Sequence, residues 1–221
     1  MVATDTENVW IFGFGSLIHK AGFEYAERLV GYIKGYRVVW HQGSTDHRGT
    51  PEAPGRVVTI LPAEKDRRCW GAAYRLCGSR EQQEKTLKYL EWREKQYDQR
   101  AKCAFFTTED DAKPRVQRAT VFIATSNMKT NPLYLGPAAL EDIAQQISTA
   151  CGPSGDNCDY VYALAESYLK MGLHDEELEA LASRVQAKRA EAGHHDDRRA
   201  ACSSRLHSQA EHEDGDANGT T

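Results

Sequence analysis

An α+β fold is what this sequence predicts, on three observations. Stretches that favour extended backbone fill the first half, and stretches with helical apolar spacing fill the end. The two kinds do not alternate as they would around a parallel sheet. With 221 residues, 40% of them hydrophobic and 27% charged, the chain can bury one core of ordinary size.

Residues 1–8 are polar and read as a flexible N-terminus, and residues 9–190 read as one domain. Val9–Phe12 is the first expected strand, because Val, Trp, Ile and Phe favour extended backbone. A short helix is expected near Phe23–Leu29. Further strands are expected at Tyr36–Trp40, Val57–Leu61 and Cys69–Leu76, with Ala104–Thr107 pairing Ala119–Thr125. The segment before residue 98 reads as a helix with Gln83, Leu87, Leu90, Glu94 and Tyr97 on one face. After Pro137, a natural first-turn residue, Ala139–Cys151 places Leu140, Ile143, Ile147 and Cys151 together. Asp159–Met171 does the same with Val161, Leu164, Tyr168 and Met171, and Asp175–Arg189 with Leu178, Leu181 and Val185. Residues 191–221 hold almost no large apolar side chain and read as a disordered tail.

Several function classes fall away. A net charge of -4 leaves no basic footprint for nucleic acid. No apolar run approaches the ~20 residues that a membrane span needs. The first ten residues lack the pattern of a signal peptide, which favours the cytoplasm. The cysteines at 69, 77, 103, 151, 158 and 202 form no CxxC pair and show no zinc spacing with histidine, so free thiols and no metal site are expected.

The stretch IFGFGSLIH, residues 11–19, raises the first chemical question. Gly13 and Gly15 interrupt a strand, and glycine there implies a bend where something approaches the backbone. A dinucleotide fingerprint fails because Ile18 stands at its third glycine. A nucleophile elbow around Ser16 fails at its second glycine, although His41, Asp46 and His47 could supply a base and an orienter. A third reading has the turn presenting backbone N–H groups to an anionic or carbonyl oxygen. An ordinary strand-to-loop bend is the fourth.

Glu94 raises the second question. Glu81, Glu84 and Glu91 each have a lysine at i+4, the pattern of a solvated helix surface. Glu94 has Asp98 there and lies on the apolar face. A carboxylate so placed must find a partner or take up a proton, and desolvation raises its pKa toward the range of a general base or acid. The alternative is a helix-end glutamate paired with Arg93 or Arg100.

Six motifs then occur together and in order: FGSL at 14–17, STDHRGTPEAPGR at 44–56, WGAAYR at 70–75, YLEWRE at 89–94, YLGPAALEDIA at 134–144 and GPSGDN at 152–157. With them the chain closely resembles the ChaC-like γ-glutamylcyclotransferases, in their glutathione-specific branch, over about residues 9–185. The resemblance implies a small mixed β-barrel flanked by helices. It implies cleavage of glutathione to 5-oxoproline and cysteinylglycine without a cofactor. It maps the γ-glutamyl cradle onto Ile11, Phe12, Gly13, Phe14, Gly15, Ser16 and Leu17, and the catalytic carboxylate onto Glu94. Phe14 departs from the tyrosine many members carry there. Within the loop holding Asp46 and His47, Arg48 reads either as a carboxylate clamp for the substrate or as a tie for the loop itself. Tyr134 reads as a substrate-binding hydroxyl or as a packing residue. A γ-glutamyl-binding module without turnover is the remaining alternative class. The oligomeric state is not indicated.

Overall fold

The computed structural model describes residues 8–108, 112–191 and 193. The segments expected to be flexible, 1–8 and 191–221, lie outside the described residues apart from their inner ends. The residues fall into two compact units. One contains residues up to Gln42 together with Val58–Gly136, and the other contains Gly43–Val57 and the chain from Pro137.

The expected strands form, and a further one, second in chain order, forms where a helix is expected. They are β1 (Trp10–Gly13), β2 (Tyr25–Lys34), β3 (Tyr36–Ser44), β4 (Gly55–Pro62), β5 (Arg68–Leu76), β6 (Gln99–Phe106) and β7 (Val116–Ile123). In the first unit, β1-β5-β2-β6-β7 close into a barrel. The pairings are antiparallel except the closing one, where β1 runs parallel to β7 with Ile11 opposite Thr120. The barrel is therefore mixed, and β3 pairs with β4 outside it.

Two facing glycines fill the barrel correctly. Gly31 of β2 stands opposite Gly71 of β5. A Cβ at Gly31 would overlap the Phe105 ring and the Phe106 carbonyl, and one at Gly71 would overlap the Phe12 ring and the Gly13 carbonyl. The missing side chains make room for Phe12 and Phe105, both at most 1% exposed, whose ring centroids are 5.8 Å apart. This is the close packing that sets a small barrel's girth.

The helix expected near Phe23–Leu29 is instead the start of β2, a correction with a clear cause. Ala26, Glu27 and Leu29 are good helix formers, but each partner across the ladder rewards extension. Tyr25 packs edge-on against Tyr74 at 5.0 Å, Glu27 pairs with Arg75 at 3.1 Å, and Arg28 donates to the Tyr74 hydroxyl at 3.3 Å. Cross-strand pairs of this kind override local propensity.

Helix α1 (Arg80–Arg93) belongs to the first unit. Ser79 and Gln82 cap it reciprocally, with Ser79 N donating to Gln82 Oε1 at 2.7 Å. Leu90 is fully buried in a cluster with Ile11, Leu17, Leu76 and Phe122, and Leu87 and Tyr97 pack against it. The apolar face read from spacing is the inner face.

The second unit holds α2 (Leu140–Thr149), the short β8–β9 hairpin (Cys151–Gly152 and Gly155–Asp156), α3 (Asn157–Lys170) and α4 (Glu176–Glu191). Ile147, Val161, Leu164, Leu181 and Val185 are buried as expected, whereas Leu140 is 45% exposed. The helix starts after Ala139, so Pro137 precedes its cap and Leu140 sits in the exposed first turn. The Asn157 side chain is fully buried and grips the Arg56 backbone twice, accepting from its N at 2.6 Å and donating to its O at 3.0 Å. Cys69, Cys77, Cys103 and Cys158 are free thiols as expected, and Cys151 departs from that expectation by being disulfide-bonded. Among the described residues, no helix is long and apolar enough to cross a membrane.

The glycine pair generates a prediction. Gly31→Ala should destabilise the protein by about 1–3 kcal/mol through overpacking against Phe105. At ~2–4 °C per kcal/mol for a chain of this size, calorimetry should show the melting temperature falling by several degrees.

Candidate active site

Strand β1 ends at Gly13, and a single 3₁₀ turn, Ser16–Ile18, follows it. Ile18 N donates to Gly15 O and Lys20 N to Ser16 O, each at 2.9 Å. The reversal is tight. A Cβ at Gly13 would overlap the Leu17 Cβ and lie 3.2 Å from its Cδ1. The close approach implied by this glycine is thus made by the chain's own Leu17. Ile11, Phe12, Phe14 and Leu17 are all at most 6% exposed, so their side chains belong to the core. What they leave for chemistry is backbone.

The polarity of that backbone is one-sided. The Tyr74 hydroxyl donates to Leu17 O at 2.6 Å, and Arg28 Nη2 donates to Ile18 O at 3.4 Å. Burial pushes the Tyr74 phenol above its ordinary range, opposed by Arg28, so the hydroxyl stays a donor. Arg93 Nη2 donates to Lys20 O at 2.9 Å, and Nη1 to Ala21 O at 2.6 Å. Side chains therefore occupy the carbonyls after the turn. The amide groups of Phe14 and Gly15 meet no acceptor among the described residues. Free donors at the start of a helical turn, backed by two guanidinium groups, suit an anionic or polarised oxygen.

Glu94 is the C-cap of α1 rather than an interior residue, with φ -97° and ψ 26°. Its N donates to Leu90 O at 2.8 Å, and its own carbonyl accepts from Tyr97 N at 2.9 Å. Arg93 Nε pairs with Glu94 Oε1 at 3.3 Å, and both side chains are 13% exposed. The same guanidinium donates from Nη2 to Ser16 Oγ at 3.2 Å. Arg93 thereby brings together Glu94 and the glycine turn, the two features singled out from the sequence. Of the two readings of Glu94, the helix-end ion pair with Arg93 is the one these contacts contain.

Ser16, His41 and His47, named for a serine nucleophile, each have a hydrogen-bond partner of their own. Ser16 Oγ accepts from the Arg93 guanidinium. His41 Nδ1 lies 3.1 Å from the Tyr134 hydroxyl, and His47 Nδ1 lies 3.0 Å from Ser154 Oγ. Tyr134 is held by His41 and by the bridge between Gln42 and its own backbone. Arg48 belongs to the second unit, where Nη1 donates to Asp156 O at 2.9 Å. Burial pulls its pKa down, countered chiefly by Asp159. These contacts favour Arg48 as a tie within that unit. Sequence reading did not single out Arg28 or Tyr74, and it named Arg93 only as an ion-pair partner of Glu94, because the contacts of these residues to the turn lie 10 to 77 residues away in the chain.

A mixed five-stranded barrel with a donor-rich glycine turn beside a helix-end carboxylate defines a protein of the γ-glutamylcyclotransferase type. The chain belongs to the ChaC-like family, whose model matches residues 9–188. It is 49% identical over 178 residues to γ-glutamylcyclotransferase 2-3 of Arabidopsis thaliana, covering 80% of this chain and 88% of that protein. It is 41% identical over 187 residues to the glutathione-specific γ-glutamylcyclotransferase 1 of Homo sapiens, covering 82% and 80%. Among solved structures, the yeast γ-glutamylcyclotransferase specific to glutathione superposes with a TM-score of 0.73 at 26% identity, over 86% of this chain and 99% of that one.

Removing the hydroxyl of Tyr74 should expose how far the turn relies on its carbonyl partners. Tyr74→Phe leaves Leu17 O buried without its donor, at a cost of about 1–3 kcal/mol. The urea unfolding midpoint should fall accordingly, and an unchanged midpoint would count against the assignment.

Proposed function

We propose that this protein is a glutathione-specific γ-glutamylcyclotransferase, a carbon–nitrogen lyase releasing 5-oxoproline and cysteinylglycine. One observation carries the reading: a single guanidinium holds the Glu94 carboxylate and the Ser16 end of a turn in which the Phe14 and Gly15 amides meet no acceptor among the described residues. Membership of the ChaC-like family and the printed activities of the relatives support it.

The chemistry asks little of the protein beyond placement. The α-amine of the γ-glutamyl unit attacks its own γ-carbonyl carbon. A carbon–nitrogen bond forms in the new five-membered lactam, and the amide bond to the cysteine nitrogen breaks. The nucleophile is tethered, so holding the chain in a near-attack shape supplies much of the acceleration, up to ~7–11 kcal/mol. Glu94 takes a proton from the substrate ammonium and returns one to the departing amine. The amides of the Gly13–Ser16 turn stabilise the oxyanion on the γ-carbonyl oxygen. Ile11, Phe12, Phe14 and Leu17 contribute by fixing that backbone, and Ser16 positions substrate. With the Phe14 side chain 5% exposed, the reading gives it a packing role rather than a polar one. No step calls for a cofactor. Tyr134 is proposed as a substrate-binding hydroxyl.

Incubation with glutathione, followed by detection of cysteinylglycine and 5-oxoproline, tests the reading directly. Binding without either product would leave only a γ-glutamyl-binding module. Glu94→Gln should cut turnover by a factor of roughly 10²–10⁴ with the fold and glutathione binding intact. Ser16→Ala should lose part of its turnover, whereas a serine nucleophile would lose essentially all. Arg48→Ala separates its two roles: a raised KM with an unchanged melting temperature marks a carboxylate clamp, and the reverse marks a structural tie.

A further inference from the structure

We propose that Arg93 is a positioning residue for the reaction, setting the distance between the Glu94 carboxylate and the amides of the glycine turn. The inference rests on the reading of Glu94 as the base.

Neighbouring residues in a helix do not face each other. Arg93 and Glu94 nevertheless meet at 3.3 Å, because α1 stops at Arg93 and Glu94 leaves the helical path. From there the guanidinium reaches Ser16, Lys20 and Ala21, which lie 72 to 77 residues earlier in the chain. Its five N–H groups are fixed in one plane. Moving the turn therefore moves the fork, and moving the fork moves Glu94. Gly22 makes room for it: with φ +76°, a Cβ there would sit 2.6 Å from Arg93 Nη1. Anchoring the 20–21 segment needs only the two carbonyl contacts. The contacts to Ser16 Oγ and Glu94 Oε1 fall on the two groups that the proposed reaction uses. Arg93 itself needs no contact with substrate for this role.

Lysine keeps the charge without the planar fork, and glutamine keeps a donor without the charge. Steady-state kinetics of Arg93→Lys and Arg93→Gln should show kcat falling about 100-fold, the scale of a 1 Å misplacement. KM for glutathione should stay within about threefold, since the turn still binds. Ethylguanidinium added to Arg93→Ala should restore turnover about tenfold where ethylammonium does not, because only the former presents the fork. Thermal melts establish which variants fold, and if Arg93→Gln fails to fold, Arg93→Lys decides by the same kinetic criteria. A folded variant with near-wild-type kcat overturns the proposal, as does a loss confined to KM. Wild-type protein and Glu94→Gln are assayed alongside. An inactive wild type, or an active Glu94→Gln, overturns the functional reading itself, whereas near-wild-type Arg93 variants beside an inactive Glu94→Gln overturn only the role of Arg93.

Discussion

The tight reversal after β1 is the constraint on which the candidate site depends. Gly13 has no Cβ, so Leu17 can fold back onto the strand end and still reach the cluster of Ile11, Leu76, Leu90 and Phe122. Burying a leucine of this kind contributes ~1.5–3 kcal/mol. Leu17 enters this cluster from the turn and Leu90 from α1, one helical turn before Glu94. Apolar packing thus draws the donor-bearing turn and the carboxylate-bearing helix end together. The polar contacts then refine the geometry.

Charge is distributed around that turn with a consistent sense. Tyr74, Arg28 and Arg93 donate to the carbonyl oxygens of Leu17, Ile18, Lys20 and Ala21. The amides of Phe14 and Gly15 meet no acceptor among the described residues. A half-buried carboxylate needs a partner of opposite charge, and Glu94 finds it in Arg93. The arrangement fixes donors and carboxylate in place through the fold itself, and under the proposed function that leaves little reorganisation for the reaction.

Much of this was legible in the sequence, for physical reasons that differ by element. Strands β3, β4 and β7 announced themselves through β-branched and aromatic runs, only the end of β6 was read, since QRAKC at 99–103 lacks such residues, and α1 showed in the spacing of Leu87, Leu90 and Tyr97. Glu94 stood out because its helical neighbours lacked the lysine that its surface counterparts possess. β2 was hidden, since Ala26, Glu27 and Leu29 suit a helix until Tyr74 and Arg75 are placed across from them. The role of Gly13 was half visible: the close approach could be read, but not that Leu17 makes it. Arg93 could be named only as an ion-pair partner, because local spacing cannot show that residues 16, 20 and 21 lie against residue 93.

The path of the chain between the two units carries one more consequence. The second unit takes residues 43–57 from the middle of the first, and Asn157 grips Arg56 across that gap in sequence. No single cut in the gene separates the units. A ribosome that has made residues 1–136 has completed every barrel strand, yet residues 43–57 still await the helices and glycines that hold them. The emerging polypeptide therefore carries an unsatisfied loop until the last third of synthesis, which makes that interval the one in which a folding helper would find something to bind.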